Sequence, residues 1–351
     1  MSSELSIPPS QATVTVKAIN VSNDGRSLAQ FFLKPVLAGR EVLPAVFFSF
    51  LIEHPTSGKR LVFDLGVRKD PMNYPPAVVE MFEKGVFGAT VEKDVATLLE
   101  EGGIPLNSVN AVIWSHTHLD HIGDISTFPS TTELIIGPGT PRNTYPENPA
   151  GTQHSSDFTG RTVTELSFES SGLSIGGYEA LDYFDDGSLY ILNVPGHFPG
   201  HIAALARVTP TTFILCAGDT CHHPGQLRPT AAHHRHFPCP GALIAESKAA
   251  FAPQFTVDGD LESRSTPLLS IPTGPSFYVD RDTSQASLEK LEVFDAHPDV
   301  FVLIAHDASL DGVVAMFPES MNNWKALSWK EKATWAFVAK GNRAFRFNTA
   351  P

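Results

Sequence analysis

Long apolar runs are missing from this 351-residue chain: none approaches the roughly 20 residues a membrane-crossing helix needs, so no membrane partner is expected. Cysteine is scarce. The three present, Cys216, Cys221 and Cys239, form no C-x-x-C pair and cannot all pair within one chain, which favours reduced thiols over a disulfide framework. Positive charge is also short, with 25 Lys and Arg against 38 Asp and Glu, a formal net charge of −13. Phosphate backbones are bound chiefly through cations, so no nucleic-acid partner is expected and a neutral or weakly charged small molecule is preferred. Residues 1–11 lack both the basic start and the apolar core of a secretory signal. Residues 1–12 are therefore expected to be a disordered lead and the protein to be cytoplasmic. No oligomeric state is assigned.

A hydrophobic share of 42% is ample for a core, and the length suits one large two-layer domain, expected over residues 13–351. β-rich runs are expected at Thr13–Ile19, Ala45–Glu53 and Arg60–Phe63, the last leading into Asp64-Leu65-Gly66. Val91, Val95, Leu98 and Leu99 follow helical spacing and stop at Gly102-Gly103. The next strand, Ala111 to Trp114, is apolar throughout, as a strand buried on both faces should be, and it runs directly into Ser115-His116-Thr117-His118. Further strands are expected at Glu133–Ile136, Leu189–Val194, His201–Val208, Thr212–Ala217 and Val300–Ala305. A helix through Leu288, Leu291 and Val293 is expected to open at Asp282, with Gln285 completing a capping box. The stretch from about 222 to 277 is irregular and reads as a lid-like insertion, with Phe237, Phe251, Phe255 and Phe277 as a candidate apolar wall and His233-His234-Arg235-His236 as a solvated loop.

The chemistry concentrates in H-T-H-L-D-H, from His116 to His121. Three imidazoles and a carboxylate crowded into a turn after a buried strand would be poorly placed without a cation to organise them. Imidazole nitrogen and carboxylate oxygen are ordinary zinc ligands.

The pattern H-x-H-x-D-H resembles the signature of the metallo-β-lactamase superfamily, and the downstream motifs follow in the same order from about Val46 to Asp307. The resemblance implies an α/β fold of the αββα sandwich type, two mixed β-sheets with helices on the outer faces, carrying two zinc ions per chain. It implies His116, His118 and His201 on one ion, Asp120, His121 and His306 on the other, Asp219 bridging, and Asp64 supporting from behind. His197, in the same P-G-H-F-P-G-H segment as His201, is read as a turn histidine beside the pocket. Asp120, Asp219 and His222 are the expected catalytic residues. His222 lies three residues after Asp219, where related lactonases carry a substrate-facing tyrosine, with His223 as its rival for that place.

Such a site suits hydrolysis of a lactone or carboxylic ester of small, fairly apolar character, through a hydroxide made available at neutral pH. A thioesterase acting on glutathione or carrier-protein thioesters is the alternative within hydrolases, and a mononuclear iron dioxygenase of sulfur compounds on the same fold is the alternative from another class. Diiron electron-transfer relatives carry glutamate where His118 stands and are set aside.

Overall fold

The computed structural model describes residues 5–251 and 265–348. Six strands build a first sheet in the spatial order β1 (Thr15–Asn20), β4 (Phe48–His54), β5 (Lys59–Phe63), β7 (Ala111–Ile113), β8 (Glu133–Ile136) and β9 (Val163–Glu165). A second sheet of six runs β10 (Leu173–Ile175), β11 (Tyr178–Asp182), β12 (Leu189–Asn193), β13 (Ile202–Thr209), β14 (Thr212–Cys216) and β15 (Val300–Leu303). A small third sheet orders β3 (Val42–Ala45), β2 (Gly25–Leu28) and β6 (Phe87–Gly88). The helices are α1 (Pro76–Glu83), α2 (Val95–Glu101), α3 (Leu119–Ile122), α4 (His233–His236), α5 (Gly241–Phe251), α6 (Arg281–Ala296) and α7 (Trp329–Thr334).

Side chains alternate across a strand, and here the two faces enter different cores. In β12, Leu189 and Ile191 join the core between the sheets, whereas Tyr190 and Leu192 face outward. In β7, Ala111 and Ile113 point inward and Val112 outward. The outer face of the first sheet is covered by Val78 of α1 and by Val95, Ala96 and Leu99 of α2. The outer face of the second is covered by Leu288, Leu291 and Phe294 of α6. The chain thus forms an αββα sandwich, and β7 is apolar throughout because it packs on both sides.

Helix starts differ in detail from the sequence reading. Asp280, not Asp282, caps α6, its carboxylate accepting from the Thr283 N–H at 3.0 Å and the Thr283 hydroxyl at 2.7 Å. Asp282 falls in the first turn, where the helix dipole still favours it. Val293 is exposed and the adjacent Phe294 takes the core position. Asp94 caps α2, leaving Val91 buried ahead of the helix.

Parallel pairing decides where the loops emerge. β5, β7 and β8 run parallel, as do β14 and β15, so the chain leaves β5 and β7, and again β14 and β15, in common directions. Two backbone hydrogen bonds stitch the sheets together there, Ile202 N–H to Ser115 O at 2.9 Å and Phe48 N–H to Ala305 O at 3.1 Å.

Two expectations on irregular segments are revised. The lead is placed from residue 5 onward: Leu5 is buried beside Ile175 and Phe294, its carbonyl accepts from Gly176 N–H, and Ser10 Oγ donates to Asp186 O. The first part of the 222–277 stretch is interior structure and not a lid. Arg228 makes a bidentate pair with Asp295 of α6 at 2.6 and 2.7 Å, and His233 Nε2 meets the same carboxylate at 2.8 Å, all three side chains being buried. His233 is therefore no solvated loop residue. Part of the stretch, with Phe255, lies outside the described residues.

Removing one partner from a buried, hydrogen-bonded ion cluster leaves charge uncompensated. Asp295→Ala is expected to cost about 3–5 kcal/mol, read as a lowered denaturant midpoint in equilibrium unfolding.

Candidate metal centre

The site is assembled at strand ends. After β5 the chain turns at Asp64, a buried residue with φ of +61°, a conformation that Asp tolerates better than most side chains. Its carboxylate accepts from the Ser115 N–H at 2.6 Å and the Ser115 hydroxyl at 2.7 Å, and it lies 2.8 Å from His121 Nδ1. A carboxylate behind a ligand imidazole fixes the ring's tautomer and aim. The turn after β7 is held by Tyr74 Oη donating to Leu119 O at 2.6 Å and Gln153 Nε2 donating to Thr117 O at 2.7 Å. The single turn of α3 then presents Asp120 and His121 together.

From the second sheet, Gly218-Asp219 follows β14 and His306 follows β15. A Cβ on Gly218, whose φ is +51°, would lie 2.8 Å from His201 Nε2, so only glycine lets Asp219 enter at this depth. Gly196 is constrained in the same way, since a Cβ there would meet the Ser284 backbone at 2.3 Å, and it delivers His197 against the start of α6.

The two oxygens of Asp219 divide the candidate ligands. Oδ2 faces His116 Nε2 at 3.7 Å and His197 Nε2 at 3.5 Å, and His118 Nδ1 lies 2.9 Å from the former and 3.0 Å from the latter. Oδ1 faces His121 Nε2 at 3.2 Å and His306 Nε2 at 3.1 Å, and Asp120 Oδ2 lies 3.5 Å from His306 Nε2. Ligand atoms arranged tetrahedrally about 2.1 Å from a shared centre stand roughly 3.4 Å apart, a value that the separations here, from 2.9 to 3.7 Å, bracket. His121 Nε2 and Asp219 Oδ1 are buried without a properly directed hydrogen bond, although they are close neighbours. The residues therefore fit the binding of divalent metal, with the Asp219 carboxylate between two groups of donors.

One expected member is not in this set. His201 donates through Nδ1 to Val194 O at 2.9 Å, and its Nε2 accepts the Asp219 backbone N–H at 2.9 Å, so it has no free lone pair. His197 takes the place expected for His201. The signal in the sequence was positional: His201 enters β13, whereas His197 sits in a turn at a strand end, as the other candidate ligands do. His222 and His223 also part company. His222 points at the centre, with Nε2 3.1 Å from Asp219 Oδ2 and Nδ1 2.8 Å from Tyr278 Oη. His223 turns away, its ring engaged by the Gly225 N–H and the Ala344 carbonyl.

Burial sets the protonation of most of these rings. It drives His116 and His197 well below the usual histidine range and His118 down to about 4, leaving neutral imidazoles with lone pairs to offer. Burial also opposes charge on His121, but Asp219 and Asp64 outweigh it and raise that pKa well above the ordinary value. His306 is raised likewise by Asp219. The positive charge the carboxylate attracts here is what a cation would provide.

Above the cluster lies a cavity of about 300 Å³, with His118, Asp120 and Asp219 contributing to its wall. Phe32, Phe87, Phe198, Phe277, Val78 and Met81 supply most of the remainder, and no Lys or Arg among the described residues lines it. Of the aromatic residues expected as a wall, Phe277 serves, while Phe237 packs by His233 and Phe251 against Phe347. Cys216, Cys221 and Cys239 form no disulfide and lie outside the candidate ligand groups.

A family model described as the metallo-beta-lactamase superfamily matches residues 48–306. The metallo-hydrolase mfmC of Annulohypoxylon moriforme is 38% identical over 346 residues, covering 95% of this chain and 89% of the relative. The gamma-lactamase FDB1 of Fusarium pseudograminearum is 36% identical over 354 residues, covering 94% and 83%. Among solved structures, a mutant of B. thuringiensis AiiA with N-decanoyl-L-homoserine bound at its active site aligns with a TM-score of 0.58 at 14% identity, over 88% of this chain and 99% of that one, a likeness of fold alone. The family match, the two long relatives and the αββα architecture agree, and the chain belongs to the metallo-β-lactamase superfamily.

Proposed function

We propose that this protein is a metal-dependent hydrolase that opens a small, neutral, largely apolar lactone or cleaves an ester of similar character. The observation that carries the reading is the division of six buried or half-buried donors by one carboxylate: His116, His118 and His197 gather at Asp219 Oδ2, and Asp120, His121 and His306 at Asp219 Oδ1. Zinc suits these nitrogen and oxygen donors, and two ions per chain would be held. Such a pair, when bound, supplies hydroxide at neutral pH and positive charge for the oxygen of the attacked carbonyl.

The chain's own groups do the rest. Phe32, Phe198 and Phe277 hold an apolar substrate over the centre and keep bulk water from it. Asp120 is partly exposed to the cavity, where its carboxylate can accept a proton and return it to the departing oxygen. His222, with Nε2 turned toward the centre, is placed to hydrogen-bond the acyl oxygen as negative charge develops on it.

The completeness of the second ligand group favours this reading over a mononuclear iron dioxygenase, and the absence of basic side chains from the cavity wall among the described residues disfavours glutathione thioesters. A cyclic amide is the second reading for the substrate, supported by the near full-length relative named a gamma-lactamase. Parallel assays of lactones, open esters, thioesters and γ-lactams with zinc-loaded protein test the choice, and lack of turnover on all of them would refute the hydrolase reading.

Two mutational outcomes are expected. In elemental analysis, His197→Ala should fall from near two ions per chain toward one, while His201→Ala should keep more metal because its nitrogens already serve backbone groups. The reverse order would return His201 to the ligand set. His222→Ala should keep its metal yet lose kcat and kcat/KM together, by roughly ten- to a thousandfold. Full activity in that variant would leave carbonyl polarisation to the ions alone.

A further inference from the structure

We propose that Tyr278 and Gln226 are positioning residues that lock His222 with its proton on Nε2, so that this imidazole meets the metal centre as a hydrogen-bond donor and not as a ligand. The inference rests on the hydrolase reading of the site and adds a device to it.

The assignment follows from groups whose roles cannot change. The backbone N–H of His222 can only donate, and it donates to Gln226 Oε1 at 2.9 Å. That sets the orientation of the Gln226 amide. Its Nε2 then points to the Phe32 carbonyl at 3.1 Å, which can only accept, so two independent contacts agree on which end is nitrogen. The same Nε2 donates to Tyr278 Oη at 3.3 Å. With its oxygen accepting from Gln226, the Tyr278 hydroxyl has one acceptor at hand for its proton, His222 Nδ1 at 2.8 Å. On the far side of the ring, Asp219 Oδ2 belongs to a carboxylate and can only accept, and it lies 3.1 Å from His222 Nε2. Nδ1 therefore carries the lone pair and Nε2 the proton.

The opposite tautomer would fail at both ends. It would set a lone pair on Nε2 against the Asp219 oxygen, and it would aim an Nδ1–H at a tyrosine oxygen already accepting from Gln226, with the hydroxyl proton left without its acceptor. The ring has little freedom to escape, being packed on Phe32 at 4.6 Å between centroids and on Tyr278 at 5.1 Å, nearly perpendicular. Neither Tyr278 nor His222 lines the cavity wall, and the hydrogen bond that Tyr278 directs toward the centre goes to His222 Nδ1, so its effect there passes through His222.

The consequence separates two uses of one histidine. His222 Nε2 belongs to a possible ligand group with Asp219 and His306. A lone pair directed there would bind a cation and compete for its coordination shell. A proton directed there turns cations away and offers a hydrogen bond to an oxygen, either that of Asp219 or the acyl oxygen of a bound substrate.

The test is a long-range ¹H–¹⁵N correlation spectrum of zinc-loaded protein labelled at histidine nitrogen, with the His222 signals identified by their absence in His222→Asn. The expected spectrum has Nε2 protonated and Nδ1 bare. A proton on Nδ1, or splitting of Nε2 by ¹¹³Cd in cadmium-loaded protein, would overturn the proposal. Tyr278→Phe should retain two ions, show both tautomers, and lose about tenfold in kcat with a smaller change in KM. A single Nε2–H tautomer with unchanged kcat in that variant would remove Tyr278 from the role. Gln226→Glu replaces the amide donor by an acceptor for the tyrosine proton and should move the population toward Nδ1–H; an unmoved population would exclude Gln226. Protein that holds two ions and opens lactones while His222 is ligated would defeat this inference alone, whereas inactivity toward all lactones and esters with the tautomer as assigned would defeat only the hydrolase reading.

Discussion

Everything at this centre depends on convergence of buried donors on one carboxylate. Six side chains from two strand ends and a turn present nitrogen or oxygen atoms to the two oxygens of Asp219, itself at a third strand end, in a place where burial makes every unpaired polar atom expensive. Such an array is stable only if the scaffold holds it and a cation satisfies it. The scaffold does its part by drawing each donor from the end of a packed strand, β7, β14 or β15, or from the tight turn between β12 and β13. The sheets are joined at the same edge by the Ile202 to Ser115 and Phe48 to Ala305 hydrogen bonds. Asp64 extends this logic outward, because its carboxylate is spent on Ser115 and His121 and sets the aim of both halves of the H-T-H-L-D-H turn.

That turn was legible in the sequence because its residues are adjacent and their spacing is local. The sandwich was legible for a related reason: period-two alternation in β12 and the unbroken apolar run of β7 report how many faces each strand buries. What was not legible depends on comparisons between near neighbours. His197 and His201 lie four residues apart behind identical Pro-Gly pairs, and only the hydrogen bonds of His201 to Val194 and Asp219 decide between them. Asp280 and Asp282 pose the same problem at the start of α6, where the cap falls on the residue whose carboxylate reaches Thr283. The small sheet of β2, β3 and β6 escaped because strands of two to four residues are too short to show a period.

The irregular stretch after β14 misled for a physical reason. Proline and glycine between Asp219 and Tyr278 argue against ladders, and segments without ladders usually lie on the surface, where water satisfies the backbone. Here side chains take over that task. Gln226 serves the His222 N–H and the Phe32 carbonyl, His223 serves Gly225 and Ala344, and Arg228 reaches Thr334 O while pairing with Asp295. A buried loop of this kind has the composition of a lid and the packing of a core. The C-terminal stretch has the same character, with Trp324, Phe337 and Phe347 filling the inter-sheet core from a segment without hydrophobic periodicity.

The charge of the molecule bears on turnover as well as on partners. Opening a neutral lactone creates a carboxylate the substrate did not carry. With no Lys or Arg among the described residues of the cavity wall and a formal net charge of −13 over the chain, those residues offer that new anion no side-chain cation. The aromatic wall meanwhile attracts the uncharged ring more than the ionised product, since burying an unpaired charge is costly where burying apolar surface is favourable. On the proposed reaction, hydrolysis would change the ligand from one the cavity suits into one it does not, and the same shortage of positive charge that disfavours a nucleic-acid partner would promote release of the acid formed.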